Sequence, residues 1–289
     1  MANIKDLKKK IKSTKGTLKI TTAMKLVSAA KLARAQQAIQ GCRPYATELE
    51  DTIKTISALV DNYNHAYLNE DSDNKRAALL VISANKGLCG GYNSQLAKKV
   101  TNWIDQSDND TKVYFVGKKV REVIGKNVNE GKFYTFEKND PTFLEMESVG
   151  KELADLFMTG EIGRVYVAYN VFLSAIAFEP TVKQVLPMTL EETEKKNVEE
   201  KFPFDFKYDP SPESILDALI PEAYGSTIYT CLLDGVAAEH GSRMAAMDSA
   251  VGNCKDAIRS LTLKMNKLRQ AAVTTELIEV VSGAESLNG

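Results

Sequence analysis

A glycine-rich turn, Asn85-Lys86-Gly87-Leu88-Cys89-Gly90-Gly91-Tyr92-Asn93, follows an apolar run of strand length and opens a helical stretch, where a phosphate-binding loop would sit. The spacing argues against that use. No GxGxxG occurs, and a Walker loop needs Gly-Lys-Ser/Thr after its glycines, where this chain has Gly90-Gly91-Tyr92. A tight turn in close contact with another subunit fits better. The two histidines have no metal-ligating neighbours, and His240 sits at packing spacing on a helical stretch. Glu239 and Arg243 are four apart on that helix, a surface pair worth about 0.2–0.5 kcal/mol. Cys42, Cys89, Cys231 and Cys254 form no CxxC pair, which argues against a zinc site or disulfide framework and for a reducing compartment. No Ser/His/Asp, Cys/His or paired-carboxylate set stands out, so no catalytic residue, cofactor or metal is expected.

The elements that must position these residues begin with the two ends of the chain. Stepping by sevens from Ile4 gives Ile11, Leu18, Lys25, Leu32, Ile39, Ala46, Ile53 and Val60; the companion row runs Leu7, Thr14, Thr21, Ser28, Ala35, Cys42, Leu49 and Ile56. Met244, Met247, Val251, Cys254, Ile258, Leu261, Met265, Leu268 and Ala272 advance by alternating threes and fours. Both patterns are seams of helices that pair. The intervening chain must bring them together, which predicts an antiparallel coiled coil. Thr14, Thr21, Lys25 and Ser28 read as polar gaps that weaken the first seam, and Pro44 predicts a kink or break there.

At 289 residues and 44% apolar content the chain can bury a conventional core. Its net charge of −1 conceals polarity: residues 1–43 carry eleven Lys/Arg against Asp6, and residues 243–289 carry six against five acids, leaving −12 between. The basic helices suit acidic protein loops; without interleaved aromatics, and with an apolar seam to bury, they do not suit nucleic acid. No apolar run approaches the ~18 residues of a membrane span, and the start has no signal-peptide core.

Between the arms, Asp61–Lys75 reads as a polar loop. Ala77–Ile82 and Val113–Val116 read as strands; Leu96–Ile104, Lys118–Ile124 and Phe143–Phe157 read as helices; Arg164–Leu173 returns to strand. Their alternation predicts a parallel sheet covered on both faces. Ala175–Met188, with Pro180 and Pro187, predicts an antiparallel edge strand, and Glu191–Lys201 an exposed charged loop. Ser211 and Pro212 start the last helix, expected to reach about Ser282. The expected division is 1–74, helix and linker; 75–209, α/β domain; 210–289, C-terminal helix.

The run from Ile20 to Leu32 (ITTAMKLVSAAKL), Arg43-Pro44-Tyr45, Gly87-Leu88-Cys89-Gly90-Gly91-Tyr92-Asn93, Glu179-Pro180, Leu186-Pro187, Ser242-Arg243-Met244 and the run from Asn266 to Leu277 (NKLRQAAVTTEL) together resemble the γ subunit of the F-type ATP synthase over nearly the whole chain. One departure is Ala84-Asn85-Lys86, where that family usually has Ser-Asp-Arg/Lys. The resemblance implies a Rossmann-like α/β domain plus a long antiparallel coiled coil of the terminal helices. It implies a non-catalytic central stalk, or rotor, coupling ion flow to ATP synthesis or hydrolysis. Partners would be the α and β subunits, the ε subunit and the c-subunit ring, with no nucleic acid and no small-molecule substrate. The place implied is the cytoplasmic face of a bacterial inner membrane, peripherally attached. Arg269 and Gln270 would make polar contacts with β loops; Met24 and Lys25 would face β or the pairing helix; Gly87, Leu88 and Cys89 would lie near the β lever. Arg243, Glu276 and Leu277 complete the expected subunit contacts, and the apolar surface of Leu277-Ile278 and Val280-Val281 would need a sleeve supplied by other subunits. The rivals are a nucleotide-dependent enzyme with helical arms and a coiled-coil or nucleic-acid-binding adaptor.

Overall fold

The apolar run Ala77–Ile82 can satisfy its backbone in a sheet and hide both faces, and it forms the centre of one. The computed structural model describes residues 4–60, 63–69, 74–137, 141–189 and 207–288; the expected loop Glu191–Lys201 lies outside them. The elements are α1 (Ile4–Leu59), a short 3-10 turn (Ala66–Leu68), β1 (Arg76–Ile82), α2 (Tyr92–Gln106), β2 (Asp110–Val116), α3 (Lys118–Ile124), β3 (Asn129–Tyr134), α4 (Phe143–Met158), β4 (Arg164–Ser174), β5 (Ala177–Leu186) and α5 (Pro212–Asn288). By contacts the chain divides into two compact units, residues 1–28 with 244–289, and residues 29–243.

In the second unit the sheet order is β3-β2-β1-β4-β5. β1 pairs in parallel with β2 and β4, β2 with β3, and β5 returns antiparallel on β4. The expected antiparallel edge strand is therefore present, with Pro180 opposite Asn170. Strand β3 was not anticipated, because Asn129-Glu130-Gly131-Lys132-Phe133-Tyr134 carries little apolar signal. It survives as the other edge, where one face of the backbone needs no partner.

Alternate residues of β1 feed two cores. Ala78, Leu80 and Ile82 join Met146, Val149 and Leu153 of α4, with Leu49, Ile53 and Ile56 of α1 and Leu216, Ile220 and Ile228 of α5. Leu79 and Val81 meet Leu96 and Val100 of α2 and Val120 of α3 on the opposite face. Helix α4 starts with a capping box, Thr142 Oγ1 accepting from Glu145 N and Glu145 Oε2 from Thr142 N. At the corner from β2 to α3, Gly117 has φ +87°, and a Cβ there would lie 1.9 Å from Ser83 O, so only glycine lets the corner pass the end of β1.

Of the expected kink or break at Pro44, the break does not occur: one helix runs from Ile4 to Leu59. Pro44 and Gln40 are both exposed, so water can take the carbonyl orphaned four residues earlier, while buried Ile39 and Leu49 hold the flanking turns. Pro221 is likewise carried inside α5, which starts as expected with Ser211 Oγ accepting from Ser214 N at 3.2 Å and extends to Asn288 rather than Ser282. Tyr45 OH of α1 donates to Glu222 of α5 at 2.5 Å and Tyr63 OH, just past the end of α1, to Asp217 at 2.7 Å, so the chain leaving α1 runs antiparallel to α5 in this unit.

Asp234 of α5 has a buried Oδ1 with no hydrogen-bond partner. Burial raises its pKa against the opposing pull of Arg43 and Lys183. Because the folded-state value lies above the unfolded one, stability falls as pH rises through that window. Asp234→Asn should raise Tm at neutral pH, and the gap should close as pH drops below the ordinary carboxylate range; a lower Tm at pH 7 would contradict this.

The first unit is a two-helix pair. All nine expected seam residues from Met244 to Ala272 are buried or half-buried, as are Ile4, Leu7, Ile11, Thr14, Leu18, Thr21, Lys25 and Ser28. Thr14, Thr21, Lys25 and Ser28, read as polar gaps, thus occupy the seam positions of α1. Thr14 Oγ1 donates to Lys10 O and Thr21 Oγ1 to Thr17 O, so their hydroxyls are satisfied within α1.

Candidate functional site

In an open parallel sheet, ligands sit at the carboxyl ends of the strands where the order reverses. Here that point lies between β1 and β4, and the glycine turn leaves β1 into it. Helix α5 packs against the turn, beside a cavity of about 320 Å³ lined by Ser83, Lys86, Gly117 and Glu239. Ser242 Oγ donates to Cys89 O at 2.6 Å, Arg243 Nη2 donates to Lys86 O at 3.1 Å and to Gly87 O at 3.3 Å, and Tyr92 OH donates to Gly235 O at 3.0 Å. Asn93 Oδ1 accepts from Ala84 N, closing the turn from inside. The carbonyls of the turn meet the chain's own side chains, so the geometry is that of a packed corner.

The Glu239–Arg243 pair is not a surface pair, which corrects that expectation. Arg243 is only 8% exposed, and its Nη1 lies 2.6 Å from Glu239 Oε1 and 3.4 Å from His240 Nδ1. Its remaining donors go to backbone 156 and 157 residues away. His240 is buried beside it. Burial raises the Cys89 thiol above its ordinary value, with Arg243 pulling the other way, so Cys89 is a packed thiol rather than an activated nucleophile. Gly87 and Leu88, by contrast, are exposed.

The expected residues of the first unit lie on its two helices. Lys25 faces the pairing helix, its Nζ 2.5 Å from Asp248 Oδ1; Met24 is half-buried. Ala272 lies twenty-four residues beyond Asp248 and α1 begins twenty-one residues before Lys25, so the seam of α5 ends where its partner does. From there to residue 284 every side chain is exposed, including Val273, Leu277, Ile278, Val280 and Val281. Arg269, Gln270 and Glu276 are exposed too. One surface was missed: Ile20, Leu26 and Val27 are each more than half exposed on α1. Their signal was available, since all three fall outside both heptad rows.

A model of the ATP synthase family matches residues 3–287. The chain is 37% identical to the ATP synthase gamma chain of Lachnoclostridium phytofermentans over 294 aligned positions, covering 100% of both, and 37% identical to that of Geobacter metallireducens, again over both whole chains. The chain belongs to the ATP synthase gamma-chain family.

Solved structures share the fold of this gamma chain. A chain of the Euglena gracilis mitochondrial ATP synthase, from a complex of OSCP, F1 and c-ring in rotational state 3, superposes with a TM-score of 0.65 at 15% identity, covering 98% of this chain and 94% of its own. A second, from the rotor of the same enzyme, gives 0.64 at 16% identity, covering 93% and 98%. The Rossmann-like sheet and paired terminal helices of this gamma chain are thus a fold seen in ATP synthases. Among its described residues, no helix is long and apolar enough to cross a membrane.

Proposed function

We propose that this gamma chain is the non-catalytic central-stalk rotor of an F-type ATP synthase, coupling ion flow through a membrane ring to ATP synthesis or hydrolysis in an α/β hexamer. The observation that carries the reading is the sequence of burial along α5: a continuous seam to Ala272, then apolar side chains left bare from Val273 to Val281. Bare apolar surface of this extent marks a site covered by other chains, and an encircling ring of subunits would supply the sleeve. Arg269, Gln270, Glu276 and Leu277 would touch that ring, Gly87 and Leu88 would face the β lever, and Cys89 and Arg243 would shape that turn from within. Met24, with the exposed face of Ile20, Leu26 and Val27, would meet a β subunit. The basic helices suit acidic segments on such partners. The ε subunit and c-ring would bind the part of the chain from 75 to 209 and its flanking helices, placing the protein peripherally on the cytoplasmic face of the inner membrane.

Co-expression with α and β subunits tests this. The expected outcome is co-purification of this chain with a hexamer that hydrolyses ATP and, with the membrane ring, pumps ions. Recovery of α and β without this chain, or ATP hydrolysis by the chain alone, would contradict it. Titration of the isolated chain with ATP and NAD should show no specific binding, because the turn carries neither the GxGxxG nor the Walker pattern.

A further inference from the structure

Three parallel strands end around the cavity beside α5: Ile82 closes β1, Val116 closes β2 and Tyr134 closes β3, and all three line it. Open α/β sheets take their ligands at this end, and a volume of about 320 Å³ falls at the small end of the ligand-pocket range. It suits one ring system rather than a dinucleotide. Phe133, Tyr134 and Phe136 bring aromatic surface to the wall, and Leu232 and Val236 of α5 bring aliphatic surface. The polar residues are unequally committed. Ser83 Oγ donates to Gly117 O at 3.1 Å, and Glu239, the one acid among the described lining residues, is held by Arg243 at 2.6 Å. The side chains of Asn85, Lys86 and Lys118 make no hydrogen bond or ion pair with any described residue, and both lysines are exposed. Their charge is left over. A cavity with aromatic walls and surplus positive charge at its mouth complements a flat organic anion.

We propose that this cavity binds a small aromatic carboxylate, its ring against Phe133, Phe136 and Val236 and its carboxylate between Lys86 and Lys118, with Asn85 donating to the same group. A carboxylate is favoured over a phosphate because the turn lacks the Gly-Lys-Ser/Thr pattern whose backbone donors wrap phosphate oxygens. Such a site is independent of the rotor reading.

Indole-3-acetate is the probe, added to the full-length chain and followed by calorimetry and by Tm. One molecule should bind per chain, and Tm should climb with its concentration. Tryptamine, the same ring carrying a cation, should bind at least about fivefold more weakly, and so should indole-3-acetate to the Lys86→Met/Lys118→Met double variant, the loss expected from two exposed ion pairs. Val236→Trp fills the cavity with both lysines in place and should abolish binding; its cooperative melting without the probe verifies the fold. No heat and no Tm shift at millimolar indole-3-acetate would overturn the site, as would equal binding of tryptamine, or an affinity unchanged in both the double variant and Val236→Trp. Displacement of the probe by ATP would overturn the carboxylate assignment.

Discussion

Replacing Arg243 with Ala should destabilise the second unit by about 3–5 kcal/mol, the usual result of removing one partner of a buried ion pair. The cost arises from what stays behind. Glu239 keeps a charge in a site where its side chain is 17% exposed and its partner's 9%, and the carbonyls of Lys86 and Gly87 lose their donors. Removing both charges together, with Glu239→Gln and Arg243→Met, should cost less than the sum of the single changes, because no unpaired charge remains. Chemical denaturation of the four proteins gives the coupling energy directly. An Arg243→Ala loss below about 1 kcal/mol, the range of exposed pairs, would show that the pair behaves as a surface contact after all.

The second large effect concerns the seam. Met247→Asp places a charge at a position that is 5% exposed between the paired helices. Truncation to Ala alone at such a site costs about 2–5 kcal/mol, and an unpaired buried carboxylate adds to that. Asp248 next to it already holds Lys25. The helices should part locally. ATP hydrolysis by the assembled enzyme should then persist while ion pumping per ATP falls roughly tenfold or more, the loss expected if about 1.4 kcal/mol of coupling is forfeited. Met247→Leu keeps volume and apolarity, costs under about 1.5 kcal/mol and should retain coupling. Equal pumping by the Asp and Leu variants would show that the seam carries no twist.

Much of this architecture was readable before the structure because it rests on periodicity. The nine seam residues from Met244 to Ala272 advance on one face of a helix and are all buried or half-buried. The run Ala77–Ile82 could only be a strand hidden on both faces, and it is the central one. What failed had non-local or compensating causes. Pro44 was read by its local cost, but exposure of its turn and packing on both sides absorb that cost. Strand β3 is a polar edge whose pattern carries no alternation strong enough to notice. The depth of Arg243 was invisible because its acceptors are backbone carbonyls across more than 150 residues of chain. Thr21 and Ser28 look hydrophilic in sequence yet are buried on α1, the Thr21 hydroxyl donating to Thr17 O one turn back. At the contact surfaces, the exposed tail follows from where the partner helix begins, whereas the exposure of Ile20, Leu26 and Val27 is legible only from their lying outside both heptad rows.

The central mechanical proposal is that paired terminal helices transmit twist between a membrane ring and a catalytic hexamer. Single-molecule observation of a probe fixed to the sheet-containing unit, residues 29–243, with the α/β hexamer tethered to a surface and ATP supplied, addresses it most directly. Unidirectional rotation of the probe that is lost in Met247→Asp and kept in Met247→Leu is the expected result. Sustained ATP hydrolysis with the probe stationary relative to the hexamer would contradict it.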